Sequence, residues 1–369
     1  MIEDGSTSIG IEQMSLEQLK IISNNFTQEI RNANAGEKTS LAFIIHDLSP
    51  SPIVKDGETF QSLVIGGSVG KIATLKKNEK TIQILDKKEK PLSFQTEAEF
   101  FDFINNGLPD NINALALNFA YALKPVFDNG MLDGFLLAFS KEGKLRGLIG
   151  KQIGREIENH VFEKRNKKIK VAVANDTVCL LTSGLIKFRE EELAGGIVGT
   201  GLNFGFFLNK NKLVNLESAD FNNFSQSASG KKVDENSSQP SASLFEKETA
   251  GAYLYKHFNH ILKETGINYP SIASTEELDR VSRANVLRVS EIAQSLLKRS
   301  AQLVACQIAG ITTFKKRSMI FNMEGSLFWK GKNYKETVEK TVKELVPEYK
   351  IDFVEIENSA ILGAAKLIS

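Results

Sequence analysis

The stretch Asn175-Asp176-Thr177 closes an apolar run, IKVAVAN, and opens a segment of helical pattern. A carboxylate at the C-terminal end of a strand stands where open α/β sheets bind their ligands, and there Asp176 can act as a general base. The same residues also suit a turn and helix cap, because Asn and Asp side chains accept backbone N–H bonds. Glycine turns occur twice. LVIGGSVGKIATL at 63–75 sets Gly66-Gly67-Ser68 between two apolar runs, and GGIVGTGLNFGFFL at 195–208 repeats the plan with Gly199-Thr200-Gly201. Paired glycines reach φ > 0 and aim successive N–H groups at one place, which suits a phosphate, although a plain hairpin uses the same freedom. The first turn is not a nucleotide P-loop. Its glycines fall one residue short of GxxxxGK[ST], Ile72 stands where the metal-binding hydroxyl belongs, and the following run reads as a strand. Glu217 in NLESADF and Glu246 in LFEKETAG are further candidate acids, with solvated surface positions as the alternative. His257 and His260 stand at i, i+3 without a third ligand, so they read as exposed and solvated rather than metal-bound.

These residues need a scaffold, and the hydrophobic pattern supplies two α/β blocks. Ser15 with Gln18 forms a capping box ahead of Leu16, Leu19, Ile22, Phe26 and Ile30 at helical spacing. SLVIGG, KIATLKK and KTIQILDK then read as an antiparallel meander, followed by a helix over EAEFFDFINN and a strand over NALALNFAY. GLIGKQIGREIEN has helical periodicity and leads to the IKVAVAN strand. Residues 222–243 are polar and Ser-rich, which reads as an exposed loop rather than a core element. A helix at about 244–263, a long helix over 286–309, and a strand–helix–strand–helix finish complete the pattern. Strands alternating with helices in two blocks predict α/β lobes with mixed sheets.

Composition narrows the function. The 46 basic residues balance 45 acidic ones, so the net charge of +1 makes no case for nucleic acid or an anionic membrane as partner. Cys179 and Cys306 cannot make a disulfide framework, and neither has a partner at metal-ligand spacing. The acidic, polar start MIEDGSTSIG lacks a secretory pattern, and no run approaches the roughly 18 apolar residues of a spanning helix. A cytoplasmic location is expected.

Taken in order, these stretches resemble the hexokinase family. That family carries DLGGTNFR, VNDTV, GTGxNACY, NTEWGAF and FEKMISGxYLGE; this chain has VIGGSVGK, ANDTV, GTGLNFGF, NLESADF and FEKETAGAYLYK. SLEQLKIISNNFTQEI is similar to the family's opening helix, while RSAQLVACQIAGI and EGSLFWKGKNYKETVEKTVKEL resemble its C-terminal lobe. The likeness runs from about residue 15 to residue 366.

The resemblance implies a two-lobed actin-like ATPase fold built on ribonuclease H-like mixed sheets, with the site in the cleft. Residues 15–193 would form the family's N-terminal region, the small lobe plus the opening helix, and 194–367 its C-terminal region, the large lobe. The implied activity is ATP-dependent phosphorylation of a hexose, glucose above all, at the 6-hydroxyl, with ATP entering as its Mg2+ complex and the product feeding glycolysis. Asp176 matches the family's base. Asn175, Asn203, Glu217, Glu246, Ser140 and Lys141 match its sugar-contacting positions, and Gly66, Gly67, Ser68, Lys71, Gly199, Thr200 and Gly201 its phosphate segments. No protein metal ligand is carried over. Four positions depart from the pattern in ways that bear on the site. Val64 replaces the aspartate that helps organise the magnesium, Ala120 stands at the sugar-side serine, and Ser359 and Ile361 replace glycines of the adenosine segment. These departures keep a second reading open, a sugar-binding protein of this fold with little or no kinase activity and a regulatory role. The related bacterial repressor–kinases are disfavoured, because their cysteine-rich zinc motif is missing.

Overall fold

The computed structural model describes residues 13–66, 69–79, 81–92, 94, 96–138 and 146–369. They form two compact units that interleave along the chain. The first unit comprises the described residues of Met1–Phe43 together with Gly196–Phe204 and Leu216–Phe353. The second comprises Ile44–Gly195, Gly205–Asn215 and Val354–Ser369. The interleaving has a packing reason. The opening helix Leu16–Asn34 packs on the long helix Leu287–Lys315 of the first unit, and the last helix, Ser359–Lys366, packs on Asp176–Gly184 of the second.

The second unit is built on a five-stranded sheet in the order Thr81–Pro91, Val69–Asn78, Thr59–Ile65, Ala114–Phe119, Lys170–Ala174. The first three strands form the expected antiparallel meander, and the last two join in parallel. Side chains alternate between the two faces of a strand, and both faces of this sheet are covered. Leu63, Ile65, Leu117 and Val173 pack against Phe100 and Ile104 of the helix Glu97–Gly107 and against Ile157 of Ile153–Arg165. Phe60, Ala116 and Ala172, on the other face, meet Val178, Leu181, Ile361 and Ala364 of the helices Asp176–Gly184 and Ser359–Lys366. The segment GLIGKQIGREIEN becomes helical only from Ile153; a short 3-10 turn, Arg146–Leu148, precedes it.

In the first unit, Met319–Glu324 and Ile351–Val354 extend a sheet that begins with the ends of Leu202–Asn209 and Leu193–Val198. The capping box at Ser15 and Gln18 is present as expected. Two expectations need correction. The Ser-rich stretch 222–243 is not simply an exposed loop, because it contains the helix Ala228–Glu235 with Ser229, Gly230 and Val233 buried. Polar contacts hold it in place: the Ser227 amide donates to Glu248 at 2.7 Å, and Ser229 Oγ lies 2.9 Å from His257 Nδ1. The helix expected at about 244–263 is two helices, Leu244–Thr249 and Gly251–Thr265, separated by an extended Ala250. Among the described residues, no helix is long and apolar enough to cross a membrane.

Candidate functional site

In the second unit the strand Lys170–Ala174 ends at Asn175, which caps the helix Asp176–Gly184; its Oδ1 accepts the Val178 amide at 3.0 Å. Capping duty therefore falls to Asn175, and Asp176 occupies the first helical position. Its Oδ1 accepts the Thr177 amide at 2.8 Å. The residue is open to solvent, yet the protein crowded around its carboxyl strips away enough water to push the pKa up. The bonds from Thr177 pull it back down without reversing the direction. The helix beneath is rigidly seated, with Val178, Cys179 and Leu181 in the core and Thr182 Oγ1 donating to the Gly363 carbonyl at 2.8 Å.

The glycine turn after Thr59–Ile65 is less furnished. Val64 is half-buried and packs against the core, opposite Lys71 in the antiparallel register. Lys71 Nζ lies 3.9 Å from Glu89 with both side chains exposed, a pair of little energetic weight. A side chain at Gly66 would bring a Cβ to 2.5 Å from the Cβ of Ala120, so close approach alone requires glycine there. Gly67, Ser68, Ser140 and Lys141 lie outside the described residues. Ile361 does not project over a surface; its side chain is fully buried and its carbonyl accepts Ser62 Oγ at 2.9 Å.

In the first unit the turn Gly199-Thr200-Gly201 is bolted to the start of Gly251–Thr265. The Gly251 amide donates to the Gly199 carbonyl at 2.8 Å, and the Ala252 amide to the Thr200 carbonyl at 3.0 Å. Glycine at 201 has a specific reason, because a Cβ there would lie 2.9 Å from Glu246 Oε1. The space admits the carboxylate, which accepts the Leu202 amide at 3.1 Å. Burial pushes the Glu246 pKa up, the Leu202 bond lowers it, and the charge of Asp220 raises it again. Asn203 Oδ1 accepts the Phe204 amide at 2.8 Å and the Ser218 amide at 3.1 Å. Between Asn203 and Ser218 the chain holds Glu217 in the left-handed region, φ 48°. A non-glycine residue persists there only when its surroundings over-determine it. Here the Leu216 amide donates to the Phe204 carbonyl at 3.0 Å, and Gln307 Nε2 to the Ser218 carbonyl at 2.9 Å. Asn203, Glu217 and Glu246 are thus gathered by one continuous set of backbone contacts.

A buried polar layer behind Glu246 escaped the sequence reading. Lys247 Nζ lies 2.5 Å from Asp234 Oδ1, and the Arg299 Nε is 3.4 Å from Glu248 Oε2. His257 belongs to this layer and is not exposed: Nε2 lies 2.8 Å from the Lys247 carbonyl, and burial pushes its pKa down. For metal chemistry, no cluster of three or more His, Cys, Asp or Glu side chains stands ready among the described residues. Magnesium usually keeps substrate phosphates and water as most of its ligands, so its binding as a nucleotide complex would not require such a cluster. The exposed Thr200 at the tip of a glycine turn fits a phosphate.

Comparison with known proteins bears on the family and the fold. Two sequence-family models, both described as hexokinase, match residues 11–186 and 259–369. Mouse Hexokinase-3 is 21% identical over 96% of this chain, which spans only 45% of that protein. Spinach Hexokinase-1 is 21% identical, with 95% of this chain and 87% of the relative covered. The chain therefore spans about half the length of the first mammalian relatives it matches. Among solved structures, the hexokinase of Schistosoma mansoni complexed with glucose superposes with a TM-score of 0.79 at 20% identity, covering 96% of both chains. A second hexokinase crystal structure gives 0.80 at 18% identity. The fold is accordingly the actin-like ATPase fold, and the chain belongs to the hexokinase family.

Proposed function

We propose that this protein transfers the γ-phosphoryl group of ATP to the 6-hydroxyl of a hexose, glucose above all, in a cytoplasmic step that feeds glycolysis. The observation that carries the reading is Asp176: a carboxyl at the start of a seated helix, open to solvent and raised in pKa. A raised pKa makes a carboxylate a better acceptor for a hydroxyl proton near neutral pH. In this role Asp176 takes the proton from the sugar's 6-hydroxyl as the oxygen attacks phosphorus. Asn175, Asn203, Glu217 and Glu246, with Ser140 and Lys141, hold the remaining hydroxyls, each of which both donates and accepts. Gly66, Gly67, Ser68, Lys71, Gly199, Thr200 and Gly201 face the phosphates. Magnesium bound to the nucleotide supplies charge neutralisation. Regions 15–193 and 194–367 correspond in this reading to the family's N- and C-terminal regions.

Val64 favours a second reading, a sugar-binding protein with little kinase activity. Its side chain packs against the hydrophobic core where the family places an acid, and among the described residues the neighbouring Lys71 pairs only with the exposed Glu89. Calorimetric titration of the purified chain with glucose and with Mg-ATP separates the two. The kinase reading expects both to bind. Glucose binding with no heat from Mg-ATP supports the sugar-binding protein, and heat from neither ligand contradicts both readings.

A further inference from the structure

The helix Leu244–Thr249, which carries Glu246 in its first turn, starts in an unusual way. Its six residues are too few to hold a helix by propensity alone, so its ends must be fixed from outside. Ser243 stands at the N-cap, where a serine hydroxyl ordinarily accepts a backbone N–H of the first turn. Here it makes no such bond within the helix. The Ser243 carbonyl still accepts the Lys247 amide at 3.1 Å, but the hydroxyl donates to Asp220 Oδ1 at 2.8 Å. Asp220 closes the 3-10 turn Ser218–Asp220 directly after Glu217, and its amide donates to the Glu217 carbonyl at 3.1 Å. Glu217 holds φ 48° and Ser243 φ 47°, a region where non-glycine residues stay only under outside constraint. The bond between Asp220 and Ser243 thus joins two strained points, the turn that holds Glu217 and the helix that holds Glu246. A carboxylate acceptor makes it charge-assisted.

We propose that Asp220 is a positioning residue for the sugar: through Ser243 it fixes the spacing of the carboxylates of Glu217 and Glu246. This role rests on the assignment of both acids to the sugar, and neither Asp220 nor Ser243 belongs to that assignment. Asp220 also acts by charge. The groups facing the Glu246 carboxyl are the Asp220 carboxylate, the Lys247 ammonium and, from Gly251–Thr265, the Tyr253 phenol. Asp220 raises the proton affinity of Glu246, and Lys247 lowers it. Ionised Glu246 is the better acceptor for a sugar hydroxyl, so glucose affinity falls as pH drops through the Glu246 pKa. Without the Asp220 charge that fall comes at lower pH.

The test is calorimetric titration of the full chain with glucose across pH, in the parent and in Ser243→Ala, Asp220→Ala and Asp220→Asn. Asp220 is exposed and Ser243 half-buried, so these variants stay folded. Near neutral pH, Ser243→Ala and Asp220→Ala should each weaken glucose by about tenfold, and the double variant by no more than either. Asp220→Asn keeps an acceptor for Ser243 and should stay within about threefold of the parent. Its acid limb should move to lower pH, whereas that of Ser243→Ala stays in place. In a Glu246→Gln background, Ser243→Ala should cost less than about twofold. The positioning role is overturned by parental affinity in Ser243→Ala or by additive losses in the double variant. An unmoved acid limb in Asp220→Asn, or an undiminished cost of Ser243→Ala beside Glu246→Gln, also overturns it. Absence of glucose binding in the parent, or parental affinity in Glu246→Gln, instead overturns the sugar assignment, and the positioning role falls with it.

Discussion

Around Glu246 three separate chain segments hold one another. Gly201 makes room for the carboxylate, Leu202 donates to it, and Ser218 ties Asn203 to the strained Glu217. Around Val64 in the second unit the corresponding furnishings are few. An apolar side chain packs inward, Lys71 has one distant exposed partner among the described residues, and Gly66 is explained by the approach of Ala120. Asp176 is the exception in that unit, since the helix carrying it is capped by Asn175 and seated on the C-terminal helix. The contrast teaches where selection for geometry is visible. Positions proposed for the sugar in the first unit are pinned by several hydrogen bonds, as is the turn Gly199-Thr200-Gly201, whereas the segment from Val64 to Gly66 proposed for phosphate is pinned mainly by packing.

The largest expected effect tests the exception. Asp176→Asn keeps the helix and its Asn175 cap but removes the base, so kcat should fall by roughly 10²–10⁴. Glucose affinity should stay within a few-fold of the parent, because an amide still hydrogen-bonds. Unchanged turnover in steady-state assays would remove Asp176 from the chemistry.

Two buried histidines extend the comparison to stability. His257 in the first unit has Ser229 and the Lys247 carbonyl as partners. His46 in the second is equally buried, and neither ring nitrogen has a partner among the described residues. Burial lowers the His46 pKa from 6.5 to about 4, overriding the charge of Asp47. The folded-state value lies below the unfolded one, so stability is intact above about pH 6.5 and is lost as pH falls toward 4. The loss should reach about 3 kcal/mol. His46→Leu should remove its share of that slope in urea unfolding, leaving the part carried by His257, while costing little near neutral pH. His257→Leu should instead cost about 1–3 kcal/mol at neutral pH, because it strands two buried polar groups. A similar acid slope in His46→Leu and the parent would show that other groups carry it.

Smaller effects are expected in ligand binding. Glu246→Ala and Glu217→Ala should each weaken glucose by about 1–3 kcal/mol in calorimetry, the cost of a lost charged hydrogen bond. Parental affinity in both would mean that the pinned geometry around Gly201 serves another ligand. Val64→Asp should change least. If the sparse nucleotide side is a missing anchor, kcat/KM for Mg-ATP should rise a few-fold with glucose affinity constant. Thermal unfolding measured alongside controls for the penalty of putting a carboxyl in a half-buried apolar position. A folded variant without gain shows that the anchor is not what limits that side.

Local pattern made much of this legible. The meander over 59–91 shows in alternating residues between turns, and the Asn175 cap in three letters. What stayed hidden depends on tertiary partners. The helix Ala228–Glu235 buries Ser229, Gly230 and Val233, too small and polar to draw a hydrophobic stripe. His257 looked solvated because its two partners come from residues 229 and 247. A signal was present in the run Glu246-Lys247-Glu248. Three successive helical positions spread over about 200° of arc, so a helix packed on several sides, as this one is against Gly251–Thr265 and Leu287–Lys315, must bury at least one charge. The break at Ala250 had no such signal, since Gly251 bonds to the distant Gly199. Nor does any local feature say that the last helix, carrying Ile361, packs with Asp176–Gly184.

Phosphoryl transfer itself is the most direct measurement. The purified chain is incubated with glucose and Mg-ATP labelled in the γ-phosphate, and the products are separated. The account predicts label on the sugar's 6-hydroxyl, formed by the parent and nearly lost in Asp176→Asn. Label that stays on ATP or appears only as inorganic phosphate, while glucose binds normally, would contradict it.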